Sequence, residues 1–97
     1  MKYIYSQRGD AVGYILGNYV YSLNGKAVGQ LSGSHVHQLS GPYVGEMYMD
    51  MVVDMHLGNF GNIGNPGDPG NAGNPGNPGS RGAVNHGYND VFDKLLK

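Results

Sequence analysis

The sequence predicts an all-β protein: four tandem 16-residue antiparallel β-hairpins, then a glycine-periodic tract and a short C-terminal helix. Three observations carry this. Rows of sixteen residues align Tyr3, Tyr19, His35 and Met51, then Ile4, Val20, Val36 and Val52; further along they align Val12, Val28, Val44 and Phe60, and two positions beyond the next glycine Ile15, Leu31, Met47 and Ile63. Each row is divided by two turn signals. From Gly58 to Gly82, glycine recurs at every third residue. The units are therefore residues 1–63, a Gly-X-Y tract over 58–82 and a terminal segment over 83–97.

The first turn signal is Asn24-Gly25, with Arg8-Gly9 and Ser40-Gly41 at the same place; the second is Gly33-Ser34, with Gly17-Asn18 at the same place. Asn-Gly suits a two-residue type I′ turn, and glycine in the leading position suits type II′. Linkers this short join only antiparallel neighbours. Strands are expected near 3–7, 10–16, 19–23, 26–32, 35–39, 42–48, 51–56 and 59–63.

Pairing outward from Asn24-Gly25 sets Val20 opposite Gly29 and Ser22 opposite Ala27, which gives two unlike faces. One carries Val20, Ala27, Gly29 and Leu31 and is assigned to the core, with Ile15, Leu31, Met47, Val20 and Val36 buried. The other carries Tyr19, Tyr21, Leu23, Val28 and Gln30. Gly13, Gly29, Gly45 and Gly61 form one column inside strands, where glycine is expected only at a bend or a close backbone approach. Four equivalent glycines suggest four hairpins crowding one axis.

Phrases such as Tyr19-Val20-Tyr21-Ser22-Leu23-Asn24-Gly25-Lys26-Ala27-Val28-Gly29, repeated fourfold over residues 3–63, resemble a family of small bacterial domains described as a four-fold β flower. The resemblance implies four hairpins about a pseudo-fourfold axis and brings no activity with it. The fourth unit departs from the pattern. Leu57-Gly58 replaces the usual turn pair, and Asn59-Phe60-Gly61-Asn62-Ile63 already carries the three-residue glycine period.

Within the tract, Asn dominates the X positions, and Pro66, Pro69, Pro75 and Pro78 stand at Y. Glycine at every third place is what a polyproline II helix needs to pack without a Cβ, as in a collagen-like trimer or another glycine-packed bundle. A disordered linker is the alternative, because the composition holds little apolar surface to offset chain ordering. The last nine residues, Asn89 to Lys97, begin with capping and acidic residues, end in lysines and carry Val91, Leu95 and Leu96 near one face. Two helical turns are expected there, docked on the head or against copies of themselves.

Six Lys/Arg against seven Asp/Glu, without blocks, imply neither nucleic acid nor a membrane surface as partner. No apolar run suits a signal peptide or a membrane span, which leaves the cytoplasm as the default expectation. With no cysteine, thiol catalysis and thiolate metal sites are excluded. His35, His37 and His56 with Glu46, Asp50 and Asp54 raise a divalent-metal reading, but the histidines of the 35–39 strand occupy tyrosine columns and lack structural-zinc spacing. Arg8-Gly9-Asp10 matches an adhesion tripeptide, yet its sister turns read Asn24-Gly25-Lys26 and Ser40-Gly41-Pro42, so the glycine serves the turn. No nucleophile with a base, no paired carboxylates and no cofactor motif stand out, and the expectation is a non-enzyme without cofactor. Tyr3, Tyr5, Tyr19, Tyr21, His35 and His37 are the candidate binding residues, since such rings give contact area at low entropy cost. A structural, self-assembling homo-oligomer is the leading expectation, possibly an appendage subunit. A module that binds a protein or carbohydrate surface is the second.

Overall fold

The computed structural model describes residues 1–58, 60–65, 67, 69–70, 72–73, 76, 78–80, 82–83 and 87–96. Tract positions 66, 68, 71, 74, 75, 77 and 81 lie outside the described residues, as do Asn59, 84–86 and Lys97.

Seven strands follow the repeat: β1 Lys2–Tyr5, β2 Ala11–Leu16, β3 Tyr19–Ser22, β4 Ala27–Ser32, β5 His35–Gln38, β6 Tyr43–Tyr48 and β7 Met51–Asp54. An eighth, β8 Asn89–Asp90, precedes a 3-10 helix at Phe92–Leu96. All pair antiparallel in sequence order, and the sheet curls into a half-barrel. Ile4, Val20, Val36 and Val52, sixteen residues apart, are each 0% exposed and form the axis of the core.

The turns differ from the two-residue type I′ form. Gly25 N–H donates to Ser22 O at 2.9 Å and Ser22 N–H to Lys26 O at 2.9 Å, and the same pair of bonds recurs at Gly9 and Gly41. Gly25 has a φ of 89°, whereas Asn24 is not among the residues with positive φ, as type I′ requires. The loop is thus three residues long, with glycine in the left-handed place. The extra residue reappears as a bulge: Val20 pairs with Gly29 as expected, but Tyr21 pairs with Ala27, leaving Val28 unpaired. Equivalent shifts follow Ile4 and Val36. Val12, Val28 and Val44 consequently swing onto the axial core, while Ala27 joins Tyr14 and Tyr21 on the other face. Ala27 and Val28 exchange the faces assigned to them, and Ile15, Leu31 and Met47 are only half-buried at the rim of the core.

Among the described residues 60–63, the eighth strand expected at 59–63 is reduced to a single bridge. Asn62 makes an isolated bridge to Pro42, Tyr43 N–H donates to Gly61 O, and Ile63 N–H donates to Gly41 O. The strand beside β7 is supplied instead by the far end of the chain, with Val53 opposite Asp90 and Asp54 opposite Asn89. Val91, Phe92 and Leu95 then fill the axis. Of the two settings foreseen for the terminal segment, the structure shows docking on the head, as a single 3-10 element rather than two α-helical turns.

This docking accounts for three of the four column glycines. A Cβ on Gly13 would meet Phe92 Cζ at 2.7 Å, one on Gly29 Leu95 Cδ2 at 3.0 Å, and one on Gly45 Val91 Cγ2 at 2.9 Å. Each glycine therefore seats one side chain of the terminal segment beneath the backbone of the neighbouring strand. A Cβ on Gly61 would meet nothing within 4 Å, so this glycine seats no side chain of the terminal segment.

The tract is wound round the head. Gly64 lies against the Gly41 turn, Gly73 against the Gly25 turn and Gly82 against the Gly9 turn, so close that a Cβ on each turn glycine would stand 2.8–2.9 Å from the tract glycine's nitrogen. The described tract glycines from Gly61 to Gly82 have φ between 78° and 90°, opposite in sign to the roughly −75° of polyproline II. A straight polyproline II stalk over 58–82 would be about 75 Å long, and the longest dimension of the molecule is 35 Å. Asn62 Oδ1 accepts Gly64 N–H and Asn65 Oδ1 accepts Gly67 N–H, both at 2.8 Å. A side-chain acceptor two residues before a glycine of φ near +80° is the signature of an Asx turn with type II geometry, in which proline suits the middle place. In these two turns the structural unit begins at the asparagine and ends at the glycine, one place out of phase with Gly-X-Y.

Candidate functional site

The tyrosine and histidine side chains stand on one side of the curled sheet because their columns alternate with the axial residues. Tyr21 is buried and stacks on Tyr14, with ring centroids 5.2 Å apart, while Tyr19 is half-buried 6.4 Å from Tyr21. Tyr3, Tyr5 and His35 are half-buried, and His37 is 1% exposed with Nδ1–H donating to Gly41 O at 2.7 Å. This face was expected to await a partner. The chain covers it itself: Tyr14 OH donates to Gly73 O at 2.9 Å, Tyr3 OH to Gly76 O at 3.4 Å, and Gln30 Nε2 to Gly64 O at 2.8 Å. Phe60 stacks on His35 at 3.9 Å, and Tyr88 meets Tyr48 edge-on at 5.4 Å.

Beneath Phe60 lies the most polar buried group. Glu46, 2% exposed, accepts from Ser34 Oγ at 2.9 Å, His35 Nδ1 at 2.6 Å and Tyr43 OH at 2.7 Å. Burial works to raise its pKa, but the hydrogen bonds from His35, Tyr43 and Ser34 outweigh that and hold the carboxyl below its ordinary value. Tyr43 is pushed far up, by burial first and then by its bond to Glu46. The group is a carboxylate anchored by three donors that ties β5 to β6; Ser34 spends its proton on Glu46 rather than on a base. His56 lies apart, 3.6 Å from Asp54, and among the described residues no three histidine, cysteine or acidic side chains gather as a metal site.

Sequence reasoning did not single out Tyr14, placed Gln30 on the tyrosine face without a role and considered Glu46 only as a metal ligand, although the three are sixteen residues apart and directly follow the glycine column. The signal was available: polar or hydroxyl-bearing residues in a strand column require partners once buried. Those partners come from the tract and from the His35 strand.

On the axial side, the terminal segment leaves two clefts flanking exposed Leu96. The larger, about 700 Å³, is lined by Gln7, Arg8, Val12, Asp90, Phe92 and Leu96 among others. It lies at the seam between the two edges of the half-barrel. One end of the seam is shut by Tyr5 N–H donating to Asp50 O at 2.8 Å, and the other is bridged by Asp90, whose Oδ2 accepts Gln7 N–H at 3.0 Å.

The sequence model of a family described as 4-fold beta flower protein matches residues 2–87, well over half of the chain. The chain belongs to the 4-fold beta flower family. The matched span takes in the tract as well as the four hairpin units. No curated protein and no solved structure matches this flower. Its petals are the turns at Gly9, Gly25 and Gly41 with their strands, and the fourth is completed by β8.

Proposed function

We propose that this flower is a structural, self-assembling module that acts through surface contact rather than catalysis. The observation that supports the reading is the origin of β8: the piece that completes the fourth petal and fills the axis arrives from the far end of a long tract. Groove and tail are complementary parts joined by a tether, and an identical tail on a second copy fits the same groove. Exchange of an identical element between protomers is a low-cost route to oligomers. Once released, a tract with glycine at every third place is free to wind with those of other copies, and a collagen-like stalk belongs to that state.

Light scattering over a concentration series tests this, together with mixing of differently labelled full-length chains. Concentration-dependent growth in mass and formation of mixed oligomers are expected. A chain that stays monomeric up to roughly millimolar concentration and never mixes would sink the reading. The second reading, a module binding a protein or carbohydrate surface with the tract as tether, is favoured by the half-exposed rings of Tyr3, Tyr5, Tyr19 and His35 beside the tract's edge. Loss of such binding on Tyr19→Ala in a monomer would support it.

A further inference from the structure

The place beside β7 has two claimants in one chain. Residues 59–63 occupy the repeat position of β2, β4 and β6: Phe60 aligns with Val12, Val28 and Val44, Gly61 with Gly13, Gly29 and Gly45, and Ile63 with Ile15, Leu31 and Met47. The apolar residues in those columns pack on the axial core in the other three units. Phe60 and Ile63 are instead 42% and 43% exposed. The connection from Asp54 to Asn59 spans the same number of residues as that from Ser22 to Ala27, so a hairpin can form there without any change of chain length.

In the second and third units, Asn18 O accepts Leu31 N–H and Ser34 O accepts Met47 N–H. The equivalent carbonyl in the fourth, Asp50 O, accepts a hydrogen bond from Tyr5 N–H, while Ile63 N–H donates to Gly41 O. The seam is thus held by two substitutes, Tyr5 at one end and the two-residue β8 at the other, with the cleft opening at the β8 end. A full strand is missing where the chain carries one that fits.

We propose that the seam between β7 and β1 is an insertion site for residues 60–63 of the same chain, and that insertion expels β8 and the 3-10 helix and so frees the tail. The observed arrangement buries Val91, Phe92 and Leu95 and is the favoured one; the inserted arrangement buries Phe60 and Ile63 and is the minor state. The idea deepens the assembly reading by naming what releases the tail, and rests on that reading only for what the freed tail does.

The test is a disulfide trap in the full chain, which has no native cysteine. Insertion in the register of β3 with β4 sets Met51 opposite Asn62, as Tyr19 is opposite Gln30. In the observed state Asn62 bridges Pro42, six residues along β6 from Tyr48, the partner of Met51. The two are then about 20 Å apart, far beyond disulfide reach. Met51→Cys with Asn62→Cys should nonetheless oxidise within the monomer, and Asp50→Cys with Ile63→Cys provides a second pair at more exposed positions. Phe92→Ala should speed trapping about tenfold by weakening the docked state, and Phe60→Ser should slow it about tenfold. Asp54→Cys with Asn89→Cys reports the observed state. If that pair closes fully while neither insertion pair closes in a folded chain, the proposal is overturned. Trapping in a chain that never oligomerises would uphold the insertion and count against the assembly reading alone.

Discussion

Alanine placed along the glycine column measures how tightly the terminal segment is seated. At Gly13 the new methyl would stand inside contact distance of Tyr21 O and 2.7 Å from Phe92 Cζ. At Gly45 it would be 2.6 Å from Val53 O and 2.9 Å from Val91, and at Gly29 2.8 Å from His37 O and 3.0 Å from Leu95. Relief needs shifts of roughly 0.5–1 Å against backbone, and overpacking of that kind costs about 1–3 kcal/mol. Gly13→Ala belongs at the upper end, near 3 kcal/mol, which for a domain of this size lowers Tm by roughly 12–24 °C. Gly61→Ala meets nothing within 4 Å and bears only the strain of its 78° φ, about 1 kcal/mol. Thermal unfolding followed by circular dichroism gives the order Gly13, Gly45, Gly29, Gly61 from most to least damaging. A Gly13→Ala protein melting within about 4 °C of wild type would refute the seating argument.

Further expectations concern the turns, the buried carboxylate and the tract. Met49 takes a φ of 55° at the place held by Gly17 and Gly33 in the sister turns, and it is exposed; Met49→Gly should stabilise by about 0.5–1 kcal/mol in urea unfolding, since left-handed strain exceeds the entropy cost of glycine. Glu46 has a lowered folded pKa, so its contribution is present above the ordinary carboxylate value and is lost as pH falls through the folded one. Glu46→Gln should therefore flatten the acid limb of the stability profile, and an unchanged limb would count against the anchor. Tyr14→Phe removes the bond to Gly73 O, worth about 1 kcal/mol. Exchange of the nearby Ala72 amide, which donates to Gly25 O, should quicken about fivefold if the tract is held there.

The sixteen-residue period was fully legible, and so was the axis, because a column of Ile4, Val20, Val36 and Val52 has no other place to go. The turn type was not. Asn-Gly is compatible with a two-residue turn and with a three-residue turn ending in left-handed glycine, and the single residue of difference moved Ala27 and Val28 to opposite faces. Tyr14 and Tyr21 cluster apart from the axial core, as strand alternation predicts, but neither a linker nor a glycine-packed bundle predicts that the tract itself lies over them. Shifted by one residue, the period starts at asparagine, and at Asn62 and Asn65 that asparagine has a mechanical reason to be there, as the acceptor of the following glycine's N–H. Nothing local in Asn89-Asp90 marks it as a strand. It becomes one only because β7 has a free edge and Val91, Phe92 and Leu95 have glycine-floored seats, which are facts of tertiary geometry.

The contacts of Gly64, Gly73 and Gly82 with Gly41, Gly25 and Gly9 relate two counting systems. The head advances sixteen residues from one petal to the next, while the tract, running the opposite way round, advances nine, or three triplets. The tract therefore behaves as a ruler whose graduations are petals. Removing one triplet would bring the wrong atoms to the next turn and leave the terminal segment short of its slot, whereas removing three would skip one petal and restore the phase. The length of this low-complexity stretch is then dictated by the circumference of the flower, and a relative with a different number of petals should carry a tract longer or shorter by multiples of nine.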